Sequence, residues 1–195
     1  MARRSEDSQF SRWRGKAGEE MQGGSQGGSP DALNLLCRIL FVCHGNICRS
    51  PMAEFIMKDL VARAGVADAF VIASAAAQDD DLGCDLHRGA RRTLDAHGVP
   101  HEPHAARLIR RSDLEAWDLI VCMDDENVRD VLRGLGPAAA RKTVKLLSFA
   151  GSDADVADPW YTGDFEEAYQ DIDRGCRALL EQLLKGSDER SGASC

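Results

Sequence analysis

The segment Cys43-His44-Gly45-Asn46-Ile47-Cys48-Arg49-Ser50 sets a thiol and a guanidinium six positions apart. Successive backbone N–H groups in a tight loop can converge on an anion, and a helix beginning where the loop ends adds about half a positive charge. A tetrahedral oxyanion fits such a cradle. Arg49 can hold two of its oxygens in a bidentate fork that lysine cannot reproduce, and it stays charged at any physiological pH. The same surroundings favour the thiolate of Cys43, a nucleophile near neutrality, and Ser50 is placed to hydrogen-bond the sulfur. A bare C-x5-R occurs by chance in many chains, and a cysteine at a strand end is commonly just buried. What decides for chemistry is the setting between a buried strand and a capped helix, with Gly45 and Asn46 supplying residues that tolerate positive φ.

The elements that must position this loop are legible around it. Cys37 to Cys43 is a nearly continuous apolar run, as in a strand buried on both faces. After the loop, Met52, Phe55, Ile56, Leu60 and Ala64 fall on one helical stripe closed by Gly65, with Ser50 as expected N-cap and Pro51 as first helical residue. The alternation continues with a strand near Phe70 to Ala75 and a helix near Leu86 to His97. A capping box at Ser112 and Glu115 opens a short helix before a strand at Asp118 to Met123. A helix near Glu126 to Leu132, a strand near Thr143 to Phe149 and a long helix from Phe165 to about Leu184, capped by Asp164 and Glu167, complete the series. Four strands alternating with helices predict an α/β three-layer sandwich with a central four-stranded parallel sheet, and a phosphate-binding loop after the first strand at its ligand-binding edge.

Val42-Cys43-His44-Gly45-Asn46-Ile47-Cys48-Arg49-Ser50-Pro51 resembles the phosphate loop of the low-molecular-weight protein tyrosine phosphatases. Ser74-Ala75-Ala76, His97-Gly98-Val99-Pro100, His104-Ala105-Ala106-Arg107, Cys122-Met123-Asp124 and Asp158-Pro159-Trp160-Tyr161 follow in the family's order, so the likeness covers Arg38 to Leu184. It implies Cys43 as nucleophile, Arg49 as phosphate binder and Asp158 as the acid that protonates the leaving oxygen, although Asp-Pro alone commonly begins a plain turn. It further implies a substrate-binding loop of His44, Gly45, Asn46, Ile47, Cys48 and Ser50, an aromatic wall at Trp160 and Tyr161, and Ser74 and His104 bracing the loop from behind. No metal and no cofactor are implied, and the five histidines show no ligand spacing. Cys48 reads two ways: a redox partner forming a protective disulfide with Cys43, or a small buried residue.

The chain departs from the family at Asp79-Asp80-Asp81, where the wall opposite the aromatics is often bulky; three carboxylates there should repel acidic phosphopeptides. His87 stands where many relatives are acidic, with Asp85 nearby. Trp160 replaces one of the paired tyrosines that regulate some relatives. Two alternatives share the fold. A thioredoxin-coupled arsenate reductase would need further relay cysteines, for which only Cys122 and Cys176 offer themselves. A protein-arginine phosphatase often has Thr where this chain has Ile47.

The 195 residues hold 24 Lys and Arg against 32 Asp and Glu, a net charge of −8 that argues against a broad nucleic-acid-binding face. No apolar run approaches the roughly 18 residues of a membrane span. Seven cysteines, an odd number without an apolar leader, point to a reducing, cytoplasmic setting. Residues 1–34, with their Gly-Gly-Ser repeats, are expected to form a disordered tail, residues 35–185 the phosphatase domain and residues 186–195 a polar tail. Met21 is an alternative initiator that would preserve the whole folded region. The expected partner is a phosphotyrosine-containing protein or small aryl phosphate, not nucleic acid or membrane, and the expected state is a monomer or weak dimer.

Overall fold

From Ile39 onward every side chain of β1 (Cys37–Cys43) is buried. In the computed structural model β1 lies between β2 (Phe70–Ala76) and β3 (Leu119–Cys122), with β4 (Thr143–Lys145) beyond β3, in the order β2-β1-β3-β4. All pairings are parallel, with Leu40 opposite Ala73 on one side and Ile120 on the other. Parallel neighbours need crossover helices, which cover both faces and explain the continuous apolar runs Ile39–Cys43 of β1 and Leu119–Cys122 of β3. The structure describes residues 36–191, with side chains through Lys185; the N-terminal tail expected over residues 1–34 and residues 192–195 lie outside the described residues.

The helices are α1 (Arg49–Arg63), α2 (Arg88–Ala96), α3 (Asp113–Ala116), α4 (Asp125–Leu135), α5 (Pro159–Thr162) and α6 (Phe165–Ser191). On one face α1 packs against α6 and against β1 and β2. Ile172, Cys176 and Leu179, one turn apart along α6, are fully buried. On the other face Leu40, Val42, Ile120 and Cys122 meet Val131 and Leu135 of α4. The three-layer α/β sandwich with a parallel four-stranded sheet is therefore the observed architecture.

Several boundaries differ from the sequence expectation. The fourth strand ends at Lys145 rather than Phe149, and Leu146–Ala150 is a 3₁₀ turn. Its strand pairs only with β3, over Thr143 to Lys145, while the buried Leu146, Leu147 and Phe149 crowd towards α6. A strand would send 146 and 147 to opposite faces; the tighter turn does not. Ser112 makes no cap hydrogen bond, because its backbone is already helical (φ −63°, ψ −23°). The last helix runs past Leu184 to Ser191, whereas Asp164 caps it as expected, accepting from the amides of Glu166 and Glu167.

Asp113 takes over at α3. Its carboxylate accepts from the Arg110 amide at 2.7 Å, Arg107 Nη1 at 3.0 Å and Trp117 Nε1 at 3.0 Å. Burial alone would raise its pKa, but these donors outweigh burial and hold it below the ordinary value. The associated stability is thus present above the unfolded-state carboxylate pKa and lost as pH falls through the native one. Asp113→Asn is expected to cost about 1–3 kcal/mol at neutral pH, read by denaturant unfolding, with the difference from wild type shrinking as the medium is acidified.

Candidate active site

The loop from His44 to Cys48 leaves the carboxyl end of β1 and runs straight into α1. Asn46 has φ 58°, the one non-glycine residue with positive φ among the described residues. Asparagine tolerates this left-handed geometry better than most side chains, and here its amide holds the loop together. Asn46 Nδ2 donates to Ser50 Oγ at 2.9 Å and Ser74 Oγ at 2.8 Å, while its Oδ1 accepts from the Arg107 amide at 3.2 Å. His104 Nε2 lies 2.7 Å from the Asn46 carbonyl oxygen and donates to it.

The direction of this network is set from its far end. The Glu54 carboxylate can only accept, so Ser74 Oγ donates to it at 2.6 Å and presents a lone pair to Asn46. Asn46 in turn occupies a lone pair of Ser50 Oγ. The Ser50 proton is then free for Cys43 Sγ, 3.0 Å away, with Ala75 O at 3.4 Å as the competing acceptor. Ser50 accordingly lies inside the first turn of α1, which begins at Arg49; it is not the N-cap, and Pro51 is not the first helical residue. Asn46 and Ser50 are both fully buried behind the loop and do not line the cavity in front of it. Asn46→Ala removes the amide from the buried Ser50 and Ser74 hydroxyls and the half-buried Arg107 N–H, and places alanine at positive φ. A stability loss of about 3 kcal/mol is expected, read by chemical denaturation, together with a fall in catalytic rate as Ser50 reorients.

Gly45 lets a neighbouring side chain approach the loop closely. A Cβ at this position would meet the Asp81 carboxylate, which lies against the loop and would have to swing aside. Next to it, His44 Nε2 is 3.1 Å from Asp80 Oδ2. The Ile47 carbonyl accepts from the His87 amide at 2.8 Å, and His87 itself caps α2 through Nδ1 and stacks on Phe165 at 4.9 Å. Asp85 binds the amides of Leu86 and His104, and so supports the histidine that holds Asn46.

Arg49 is the centre of the charge arrangement, its side chain only 4% exposed. Nη1 donates to Asp124 Oδ2 and Nη2 to Asp158 Oδ2, both at 2.6 Å. Burial opposes the guanidinium charge, but Cys43, Asp158 and Asp124 outweigh it and raise its pKa. Asp158 reaches the site because it caps α5, its Oδ1 accepting from the Trp160 amide at 3.0 Å. Trp160 and Tyr161 follow at the rim, 67% and 85% exposed. Cys43, Cys48, Arg49, Asp158 and both aromatic residues line one cavity of about 700 Å³.

Asp124 and Glu54 were not singled out from the sequence. Asp124 had a signal, an acid at the end of a buried strand where a helix begins, and it does cap α4 by accepting from the Asn127 amide at 2.6 Å. Glu54 had none, since nothing local links it to Ser74. Cys48 is buried, and its thiol is pushed up to about 12 by burial, with the Cys43 and Asp158 charges adding to the effect. Among the described residues no three His, Cys, Asp or Glu side chains are grouped so as to hold a metal ion.

Residues 38–189 match the family described as low molecular weight phosphotyrosine protein phosphatase. The chain is 40% identical over 149 residues to the low molecular weight protein-tyrosine-phosphatase YfkJ of Bacillus subtilis, covering 75% of this chain and 96% of that protein. It is 39% identical over 150 residues to the low molecular weight phosphotyrosine protein phosphatase of Sus scrofa, covering 74% and 94%. The crystal structure of YfkJ superposes with a TM-score of 0.73 at 36% identity, over 83% of this chain and 98% of that one.

Proposed function

The chain belongs to the low molecular weight phosphotyrosine protein phosphatase family, and from that premise we propose that it hydrolyses phosphotyrosine through a phosphocysteine intermediate. Cys43 Sγ attacks phosphorus in line with the tyrosyl oxygen, and Asp158 gives that oxygen its proton as the P–O bond breaks. Water then attacks phosphorus, Asp158 takes the proton of the water, and the Cys43 thiolate and inorganic phosphate are released. Arg49 and the loop amides hold the phosphoryl oxygens throughout.

The observation that supports this reading is the paired grip of Arg49 by Asp124 and Asp158 beside the Cys43 loop, with Cys43, Arg49 and Asp158 all lining one cavity. Trp160 and Tyr161 form the wall for an aryl ring, so the substrate is a phosphotyrosine-containing protein or a small aryl phosphate. His44, Gly45, Ile47 and Cys48 shape the floor, while Asn46, Ser50, Ser74 and His104 keep it in place. No metal or cofactor takes part, and the enzyme works in the cytoplasm as a monomer or weak dimer.

The test is hydrolysis of phosphotyrosine and phosphoarginine in EDTA, with thioredoxin-coupled arsenate reduction in parallel. Turnover of phosphotyrosine above phosphoarginine, without arsenate reduction, is the expected result; arsenate reduction alone would replace the reading. Against that alternative, Cys122 and Cys176 are both fully buried, and burial raises both thiols. Neither is placed to pass a disulfide outward.

Cys48 is the redox partner of Cys43 in this reading. Peroxide inactivation is expected to be reversed by dithiothreitol in the wild type and to become largely irreversible in Cys48→Ser, where oxidised Cys43 proceeds to the sulfinic acid. Equal recovery in both would show that Cys48 is only a packing residue.

A further inference from the structure

The mouth of the cavity carries more negative charge than the proposed reaction uses. Seven carboxylates line it against the guanidiniums of Arg49 and Arg129. The sheet order explains their placement. The phosphate loop follows β1, Asp80 and Asp81 follow β2 on one side of it, and Asp125, Glu126 and Asp155 belong to segments following β3 and β4 on the other. The acids therefore straddle the entrance.

Some of this charge is spent inside the protein. Arg49 pairs with Asp124 and Asp158, and Lys145 Nζ pairs with Asp125 at 3.0 Å and Asp155 at 2.8 Å. His44 faces Asp80. Asp81 and Glu126 have no cationic partner within ion-pair distance among the described residues, and Arg129, the other guanidinium of the lining, pairs with neither. A separate observation on the same wall points the same way. Asn127 is 1% exposed, lines the cavity, and has a side-chain oxygen without a hydrogen-bond donor. Carboxylates without counter-ions attract a cation and an amide oxygen without a partner accepts any hydrogen-bond donor; an ammonium or guanidinium group is both.

We propose that the preferred substrates are phosphotyrosines flanked by lysine or arginine, with Asp81 and Glu126 reading the flanking charges on the two sides of the entrance. The inference rests on the phosphatase reading above. The phosphoryl group goes to the floor, where Arg49 and the loop amides hold it, so the rim meets only the flanking residues. Ammonium and guanidinium groups are attracted there and carboxylates are repelled, through solvent-exposed interactions that salt screens.

The experiment compares kcat/KM for phosphotyrosine peptides of one length with Lys/Arg or Asp/Glu flanks, each divided by the value for free phosphotyrosine so that folding and chemistry cancel. At low ionic strength the basic set is expected to be favoured about tenfold, the scale of two to three exposed charge pairs. That ratio should contract in high salt and approach one in the Asp81→Asn/Glu126→Gln double variant. Equal rates for the two peptide sets, preference for the acidic set, or a ratio unchanged in the double variant would overturn the inference. Free phosphotyrosine separates the two levels: turnover of it with no peptide discrimination sinks only the substrate preference, whereas no turnover of any phosphotyrosine sinks both.

Discussion

Cys43→Ser is expected to leave a folded protein that has lost phosphotyrosine hydrolysis by a factor on the order of 10⁴ or more, the scale seen when a covalent route is closed and only binding and electrostatics remain. The substitution exchanges sulfur for oxygen in a fully formed cradle. Ser50, Asn46, Ser74 and Glu54 hold one another without Cys43, so the loop should keep its shape and still bind phosphate or vanadate. Steady-state assay together with oxyanion binding checks this. Lost turnover with retained binding is the expected pair of results, and a variant that still turns over at a few per cent of the wild-type rate would show that the nucleophile lies elsewhere.

Asp158→Asn is expected to lower kcat/KM for phosphotyrosine by about 10²–10⁴, the contribution of a positioned general acid. The loss should depend on the leaving group. A tyrosyl oxygen needs a proton as it departs, whereas 2,4-dinitrophenolate leaves without one, so the variant should be far less impaired on the dinitrophenyl ester. Asparagine retains an Oδ1 to cap the Trp160 amide, but its Nδ2 cannot accept from Arg49, which is left anchored by Asp124; comparing the two esters separates that lost contact from the lost proton donation. Equal losses on both esters would mean that Asp158 acts only by placing Arg49.

Much of this machinery lies within reach of local reasoning. The apolar run of β1, the loop residues and the stripe of α1 are contiguous, so the thiol, the anion cradle and the guanidinium are brought together by chain connectivity alone. Strands β1, β2 and β3 were legible for a related reason. Burial on both faces removes polar alternation and leaves short runs of Val, Ile, Leu and Ala that stand out against their surroundings. The sequence reads as a strand on to Phe149, beyond the actual end at Lys145, because Leu146, Leu147 and Phe149 look equally apolar in a strand or in a 3₁₀ turn packed on a helix.

The sequence by itself determined the α/β class and the family likeness, and with that likeness the roles proposed for Cys43, Arg49 and Asp158. Only the tertiary structure decided what holds them. Arg49 meets Asp124 and Asp158 from 75 and 109 residues away, and Ser74 finds Glu54 on the preceding crossover helix. Helix and strand periodicities are set by neighbours along the chain. The partner of a buried polar group is set by which segments the parallel crossovers deliver to the same end of the sheet, and that is fixed only once the whole core has packed. The same holds for Asp81 and Glu126, which are two ordinary surface acids in the sequence and two sides of one entrance in the fold.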